Sequence, residues 1–245
     1  MASTVLEALA ARQLYVALQP VVNLRKREVF GYEALVRSSS PLFRNPGEIL
    51  KKAIEEGCLG ELGRGLRAMA VSACPRTNLF LNLHPNEFDE GWLVRPDDPI
   101  FVHDRHIYLE ITESVPLSHF RLCHSVLKEV RSKGIYLAVD DLGAGYSNLK
   151  YIADLAPEIV KLDRMLVANL VEDSRLFRLV RSVVKLCVEL DARVVAEGIE
   201  TAQELQAVNA AGVHFGQGFF IAYPANPPPK PNGEMREVLE FLRLG

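Results

Sequence analysis

The chain has 245 residues, 49% of them hydrophobic and 24% charged, with 16 Gly, 14 Pro and 4 Cys. These proportions exclude a disordered chain, a collagen and a disulfide scaffold. A net charge of −3 offers no basic field for long nucleic acid or an anionic membrane, while leaving a local site for a small anion open.

The length suits two small domains or one α/β barrel of roughly 250 residues. The N-terminal segment up to Leu14 lacks a basic leader and is broken by Glu7. It therefore reads as a short amphipathic helix and not as a secretory signal. Apolar, β-branched or aromatic runs then predict strands at Leu14–Gln19, Val29–Val36, Leu79–Leu83, Ile107–Ile111, Tyr136–Val139, Ile159–Leu162, Arg193–Ala196 and His214–Phe219. Helical periodicity fills Gly47–Ser72, Ser118–Lys133, Tyr146–Asp154, Ser174–Leu190 and Thr201–Ala211. Eight strands alternating with helices predict one closed TIM-like (β/α)8 barrel over residues 1–223. Pro224–Pro231 reads as a stiff polyproline connector, and Glu234–Leu244 as a terminal amphipathic helix with Met235, Val238, Leu239 and Leu242 on one face. No apolar run reaches the ~18 residues of a membrane span. Cys58, Cys74, Cys123 and Cys187 form no CxxC pair, which fits buried thiols in a reducing cytoplasm.

Polar residues interrupt the strands toward their C-terminal ends, where barrels of this kind place their active sites. They are Glu33 in FGYEALVR, Asn82 in LFLNLH, Glu110 in IYLEITE, Asp140 and Asp141 in YLAVDD, Lys161 in IVKLD, Glu197 in VVAEG and Gln217 in HFGQGFF. A single strand-end carboxylate is commonly solvated, but seven strands offering a polar residue at one end are not explained that way. Five carboxylates against one lysine cannot all stay ionised without a cation, so either several hold protons or divalent metal neutralises them. Carboxylates plus one amide oxygen are hard ligands of the kind Mg²⁺ or Mn²⁺ takes. Two ions sharing Asp140 would suit in-line phosphoryl displacement. The segment DDLGAGYSNL, with Gly143, Gly145 and Ser147, reads equally as a mobile lid or a tight turn, and Glu113 as a residue that anchors it. GELGRGL lies in a helical pattern and is no dinucleotide fingerprint. His103 and His106 have no matching metal cluster and are expected at the surface.

QPVV, EALVR, LNLHP, LEITES, DDLGAGYSNL, VKLDR, AEGIE and GQGFF, in this order over Leu14–Pro224, resemble the EAL-domain family, bacterial phosphodiesterases that hydrolyse cyclic di-GMP. The resemblance implies a barrel whose first strand is antiparallel to the rest. It implies metal ligation by Glu33, Asn82, Glu110 and Asp140, with Asp140 bridging to a second ion at Asp141. Lys161 would contact the attacking water and Glu197 act as general base or metal-site partner. Gln19, Arg37 and Gln217 would serve substrate binding, and Glu113 and Glu200 would anchor loops. Two Mg²⁺ or Mn²⁺ ions, cleavage to linear pGpG, and a cytoplasmic bacterial setting follow. A homodimer and a sensor domain outside this chain are compatible with the resemblance. Departures are Leu142 in DDLG, His214 where Asp is common, and Ser38 after EALVR. The first two leave the loop packing open. A catalytically silent cyclic di-GMP receptor acting through a protein partner is the alternative, although such receptors typically lack several ligands that this sequence keeps. A barrel enzyme acting on sugar phosphates fits poorly, because GQG is the only late glycine-rich segment.

Overall fold

The computed structural model describes residues 4–88, 91–112, 120–144 and 149–231, together with 233, 237 and 240; the side chains of 92, 120–124 and 151 are outside that set. Helix α1 (Val5–Ala10) opens with a capping box, Thr4 and Glu7 each satisfying the other's backbone N–H. It leads into β1 (Leu14–Asn23) and β2 (Glu28–Ser38). The short turn between these strands obliges them to run antiparallel.

The helical stretch expected over Gly47–Ser72 is two helices, α2 (Pro46–Glu55) and α3 (Leu59–Ala73). The periodicity continues through the break, but Gly57 at φ +64° stops α2 where a glycine adopts the left-handed region freely. Then follow β3 (Asn78–Asn82), 3-10 turns at Pro85–Phe88, Trp92–Val94 and Pro99–Val102, β4 (Ile107–Thr112), α4 (Phe120–Ser132) and β5 (Tyr136–Leu142). The chain continues through α5 (Lys150–Leu155), β6 (Ile159–Leu162), α6 (Arg164–Val167), α7 (Arg175–Glu189), β7 (Arg193–Ala196), α8 (Ala202–Ala210) and β8 (Phe215–Gly216). The eight strands close in sequence order, with β1 antiparallel to both its neighbours and every other pair parallel. Strand β8 is shorter than expected and leaves Gln217 just beyond it.

Side chains alternate across each strand, so positions two apart share the barrel interior. Val21, Phe80, Tyr108, Ala138, Ile159, Val195 and Phe215 form one interior layer. Phe80 stacks on Tyr108 at 4.7 Å and Phe30 on Phe215 at 4.3 Å. Arg193 lies 5.1 Å from both the Phe30 and Phe215 rings. The lower barrel interior is thus filled with aromatic and aliphatic side chains.

The Pro-rich stretch is bonded to the barrel. Leu18 and Ala225 exchange both backbone hydrogen bonds, at 2.8 and 3.1 Å. The Asn226 amide donates to Val16 O at 3.2 Å and the Tyr32 hydroxyl to Pro229 O at 3.1 Å. Gly233, Glu237 and Glu240 are helical, and Glu240 pairs with Arg27 at 3.2 Å. The apolar face proposed for that helix lies outside the described residues. Cys58, Cys74 and Cys187 are free, buried thiols, and among the described residues no helix is long and apolar enough to cross a membrane.

Two of the three departures from the expected pattern, Leu142 and His214, are placed by their contacts. Leu142 is buried in the core beside Ile152 and Val160. His214 sits below β8, at the end of the barrel opposite the carboxylates, where its Nδ1 accepts from Val194 N–H at 3.0 Å. Burial, reinforced by Arg193, lowers its pKa. The neutral ring is therefore favoured in the fold, and stability should be lost as pH falls below the ordinary ~6.5 of an unfolded histidine. His214→Asn, which keeps an acceptor near the Nδ1 position, is expected to flatten that loss. Parallel acid limbs in urea titrations of the two proteins between pH 7 and 5 would refute it.

Candidate active site

Immediately above the aromatic layer each strand presents a polar residue to the interior: Gln19, Glu33, Asn82, Glu110, Asp140, Lys161, Glu197 and Gln217. In β3 to β8 the polar residue follows two positions after the apolar one (Phe80 and Asn82, Tyr108 and Glu110, Ala138 and Asp140, Ile159 and Lys161, Val195 and Glu197, Phe215 and Gln217). In β1, which runs the other way, Gln19 precedes Val21 by two. Glu33 lies in the middle of β2 and not at its end, because the hairpin extends past the rim and pairs Gln19 with Glu33.

Lys161, 1% exposed, is the centre of this ring. Its Nζ lies 2.5 Å from Glu110 Oε1, 2.6 Å from Glu197 Oε1, 3.2 Å from Asp140 Oδ1 and 3.4 Å from Glu33 Oε2. Glu33 also accepts from Asn82 Nδ2 at 3.0 Å and from Gln217 Nε2 at 2.6 Å. Gln217 Nε2 reaches Gln19 Oε1 at 3.0 Å, and Gln19 Nε2 donates to Ala222 O at 3.1 Å. A chain of amides thereby fixes the Glu33 carboxylate from one side.

Asp141 joins the rim through an irregularity. Consecutive strand residues point to opposite faces, yet the β5–β6 register shifts between Val139 and Leu142, and Asp141 takes φ +60°. The bulge turns both carboxylates to one side, where atoms of Asp140, Asp141 and Glu197 lie within 4.8 Å of one another.

The electrostatics follow from burial. Desolvation pushes the Glu110 carboxyl well above its ordinary range, with the Glu33 charge adding to it. Glu197 is pushed up to about 8 by burial despite Lys161, and Asp141 to about 6 by burial and then by Asp140. Burial opposes the Glu33 charge as well, but Lys161, Gln217 and Asn82 hold it lowered. Burial also disfavours the Lys161 ammonium, yet Asp140, Glu110 and Glu197 raise its pKa well above the usual lysine value. One buried cation thus faces more acidic groups than it can neutralise. Among the described residues Glu110 Oε2 is buried with no hydrogen-bond partner, and such a carboxylate oxygen in an oxygen-rich set fits a hard divalent cation.

Arg37 lies four residues beyond Glu33 on β2 and donates to Val36 O at 2.9 Å. It helps line a cavity of about 480 Å³ that adjoins Glu33 and Asn82, with Leu35, Leu50, Leu62 and His84 among its walls. Glu200 pairs with Arg164 on α6 at 2.7 Å. Glu113, Gly145 and Ser147 lie outside the described residues. His103 bonds Thr77 O at 2.9 Å and His106 packs edge-on against Tyr136, both far from the ring in the fold.

The turn carrying Glu197 is held by the segment that follows β8. Ile199 N–H donates to Gln217 O at 3.1 Å and Phe220 N–H to Ile199 O at 3.0 Å. A Cβ on Gly218 would fall 2.1 Å from Ile199 O, so this glycine is demanded by close backbone approach. Gly218→Ala is expected to destabilise the fold by about 2–3 kcal/mol, measured by chemical denaturation. A loss below ~0.5 kcal/mol, the scatter of ordinary surface changes, would refute it.

Sequence reasoning missed one feature next to the site. Arg67 is buried between Glu87 and Asp98, on the otherwise apolar face of α3 that carries Leu59, Leu62 and Ala70. A charge within an apolar helical stripe was the available signal.

Residues 2–224 match the family model described as EAL domain. The chain is 30% identical over 226 residues to the cyclic di-GMP phosphodiesterase PA2567 of Pseudomonas aeruginosa, an alignment covering 87% of this chain and 38% of that protein. Among solved structures it resembles Klebsiella pneumoniae BlrP1 in a manganese and cyclic di-GMP complex, with TM-score 0.75, 30% identity and coverage of 87% of this chain and 56% of that one. A standalone EAL protein from Vibrio cholerae bound to cyclic di-GMP gives TM-score 0.73 and 28% identity, covering 91% of this chain and 97% of that one. The chain spans about a quarter to two fifths of the length of the curated relatives it matches most strongly. With the motifs in order, the inverted first strand and the carboxylate ring, these matches show that the chain belongs to the EAL domain family.

Proposed function

We propose that this protein hydrolyses cyclic di-GMP to linear pGpG with the help of two divalent cations, Mg²⁺ or Mn²⁺. The observation that supports it most is the gathering of Glu33, Glu110, Asp140 and Glu197 from four strands around Lys161, with Asp141 beside Asp140 and Glu197, above an aromatic layer. Glu33, Asn82, Glu110 and Asp140 would hold one cation, and Asp140 with Asp141 the other. When bound, the cations supply Lewis acidity and lower the pKa of water toward ~7.

The remaining work falls to the side chains. Glu197 Oε1 takes the proton of a water that attacks phosphorus in line. One P–O ester bond breaks, and a proton returns to the departing ribose oxygen. Lys161 Nζ balances charge on the phosphoryl oxygens. Gln19 and Gln217 orient Glu33 and the ligand, and the Arg37 guanidinium is a fork for a phosphate oxygen. The cavity beside Glu33 has the size of a small-molecule pocket and suits one base. Loop anchoring by Glu113 and by Glu200, a cytoplasmic location, a homodimer and a sensor domain beyond this chain belong to the same proposal.

Incubation with cyclic di-GMP and Mn²⁺, followed by chromatography, tests it: pGpG should accumulate and EDTA should stop it. Intact ligand after long incubation, with measurable binding, would replace the enzyme with a receptor.

A further inference from the structure

The loop between β3 and β4 holds a buried ionic network outside the carboxylate ring. Arg67 on α3 is 2% exposed, Glu87 3% and Asp98 1%. Arg67 Nη1 donates to Glu87 Oε2 at 2.7 Å, while its Nε and Nη2 donate to Asp98 Oδ2 at 3.2 and 2.9 Å. The fork therefore clamps the Pro85–Phe88 turn and the Pro99–Val102 turn to one helix. Glu87 Oε1 goes on to accept from His84 N–H at 3.3 Å, two residues after Asn82. A Cβ on Gly63 would lie 2.1 Å from Glu87 Oε2, so α3 has left space for this carboxylate. Arg67 and Glu87 also form part of the wall of the cavity that Glu33 and Asn82 adjoin.

Asn82 needs such a clamp. It is the last residue of β3 and is exposed, and among the described residues its side chain is tied to the ring by the bond to Glu33. Its backbone pairs with Glu110 on β4 and leads directly into the turn whose His84 N–H is held by Glu87, so a shift of that turn moves its amide oxygen. A lysine could neutralise Glu87 or Asp98, but it lacks the planar fork that reaches both at once. A buried ion pair is weak evidence for stability, and a well-packed apolar replacement commonly does as well. Its geometric specificity is what an apolar side chain does not reproduce.

We propose that Arg67 is a positioning residue for the metal site, setting the Asn82 amide through Glu87 and the His84 backbone. This rests on the reading of the ring as a divalent-cation site. The effect expected from an outer support of a metal ligand is about 10- to 100-fold in affinity.

The test is calorimetric titration of the whole chain with Mn²⁺ alone, at a temperature where each variant is folded by circular dichroism. Arg67→Met and Glu87→Gln should weaken Mn²⁺ binding about tenfold or more. Arg67→Lys should remain nearer to Arg67→Met than to the wild type. Val184→Ala, a core truncation in α7, should lower the melting temperature and leave Mn²⁺ affinity unchanged. Should Arg67→Met fail to fold, Glu87→Gln alone decides the matter, because it keeps the shape of the network. Folded Arg67 or Glu87 variants that bind Mn²⁺ within twofold of the wild type would overturn the positioning role while leaving the cation site standing. A wild-type chain that takes up no Mn²⁺ would overturn the cation site, and the positioning role with it.

Discussion

Asp140→Asn is expected to reduce cyclic di-GMP hydrolysis by on the order of 10³-fold or more, with a melting temperature at or above that of the wild type. Asparagine preserves the shape of the side chain and the acceptor that receives Asp141 N–H at 3.0 Å. It removes one negative charge from a cluster in which Asp140, Asp141 and Glu197 already crowd together. Without cations that crowding disfavours the fold, so neutralising one member should relieve it. Initial rates with saturating Mn²⁺ and a thermal melt in EDTA measure the two halves. Hydrolysis within tenfold of the wild type would remove Asp140 from the machinery. A large drop in melting temperature would assign it a structural role instead.

Lys161→Met should act in the opposite sense on stability. Lys161 is fully buried and touches four carboxylates. Its removal leaves them without their cation, at a cost of roughly 3–5 kcal/mol in EDTA. Added Mn²⁺ should restore much of that loss by binding only the folded form. The variant should therefore gain more from the metal than the wild type does, while remaining impaired in turnover. Equal metal-induced shifts in the two proteins would show that Lys161 is not the counter-charge of the ring.

The same ring sets a pH dependence. In the metal-free fold the Glu197 carboxyl titrates at about 8, far above an ordinary glutamate. Between ~4.5 and 8 the folded chain holds a proton that the unfolded chain has released, so stability declines as pH rises through that window and then levels. Asp141, pushed up to about 6, adds to the lower part of the decline. Cations displace these protons, so Mn²⁺ affinity should increase from pH 6 to pH 8.5. A flat affinity over that range would contradict the assignment of Glu197 and Asp141 to the site.

Much of the architecture was present in the linear chain. Two of the eight strands, Ile159–Leu162 and Arg193–Ala196, coincide at both ends with the apolar runs, and three more begin where the runs begin (Leu14, Ile107, Tyr136). The interior ring was also written as a pattern, an apolar residue followed two places later by a polar one, because strand periodicity carries both to one face. The reversed first strand came from family resemblance and not from the residues of β1.

Other features needed three dimensions. Gly57 divides a continuous helical pattern, since a chain-reversing φ carries little hydropathy signal. A bulge turns Asp141 beside Asp140 against strict alternation. His214 is placed at the far end of the barrel from the carboxylates. Arg67 becomes intelligible only once Glu87 and Asp98, 20 and 31 residues away, are seen to enclose it. The sequence alone determined which side chains face the barrel interior, because that depends on local alternation. The closed fold decided how near those charges stand, which of them keep their protons, and what holds Asn82 in place, because distance and desolvation arise between segments far apart in the chain.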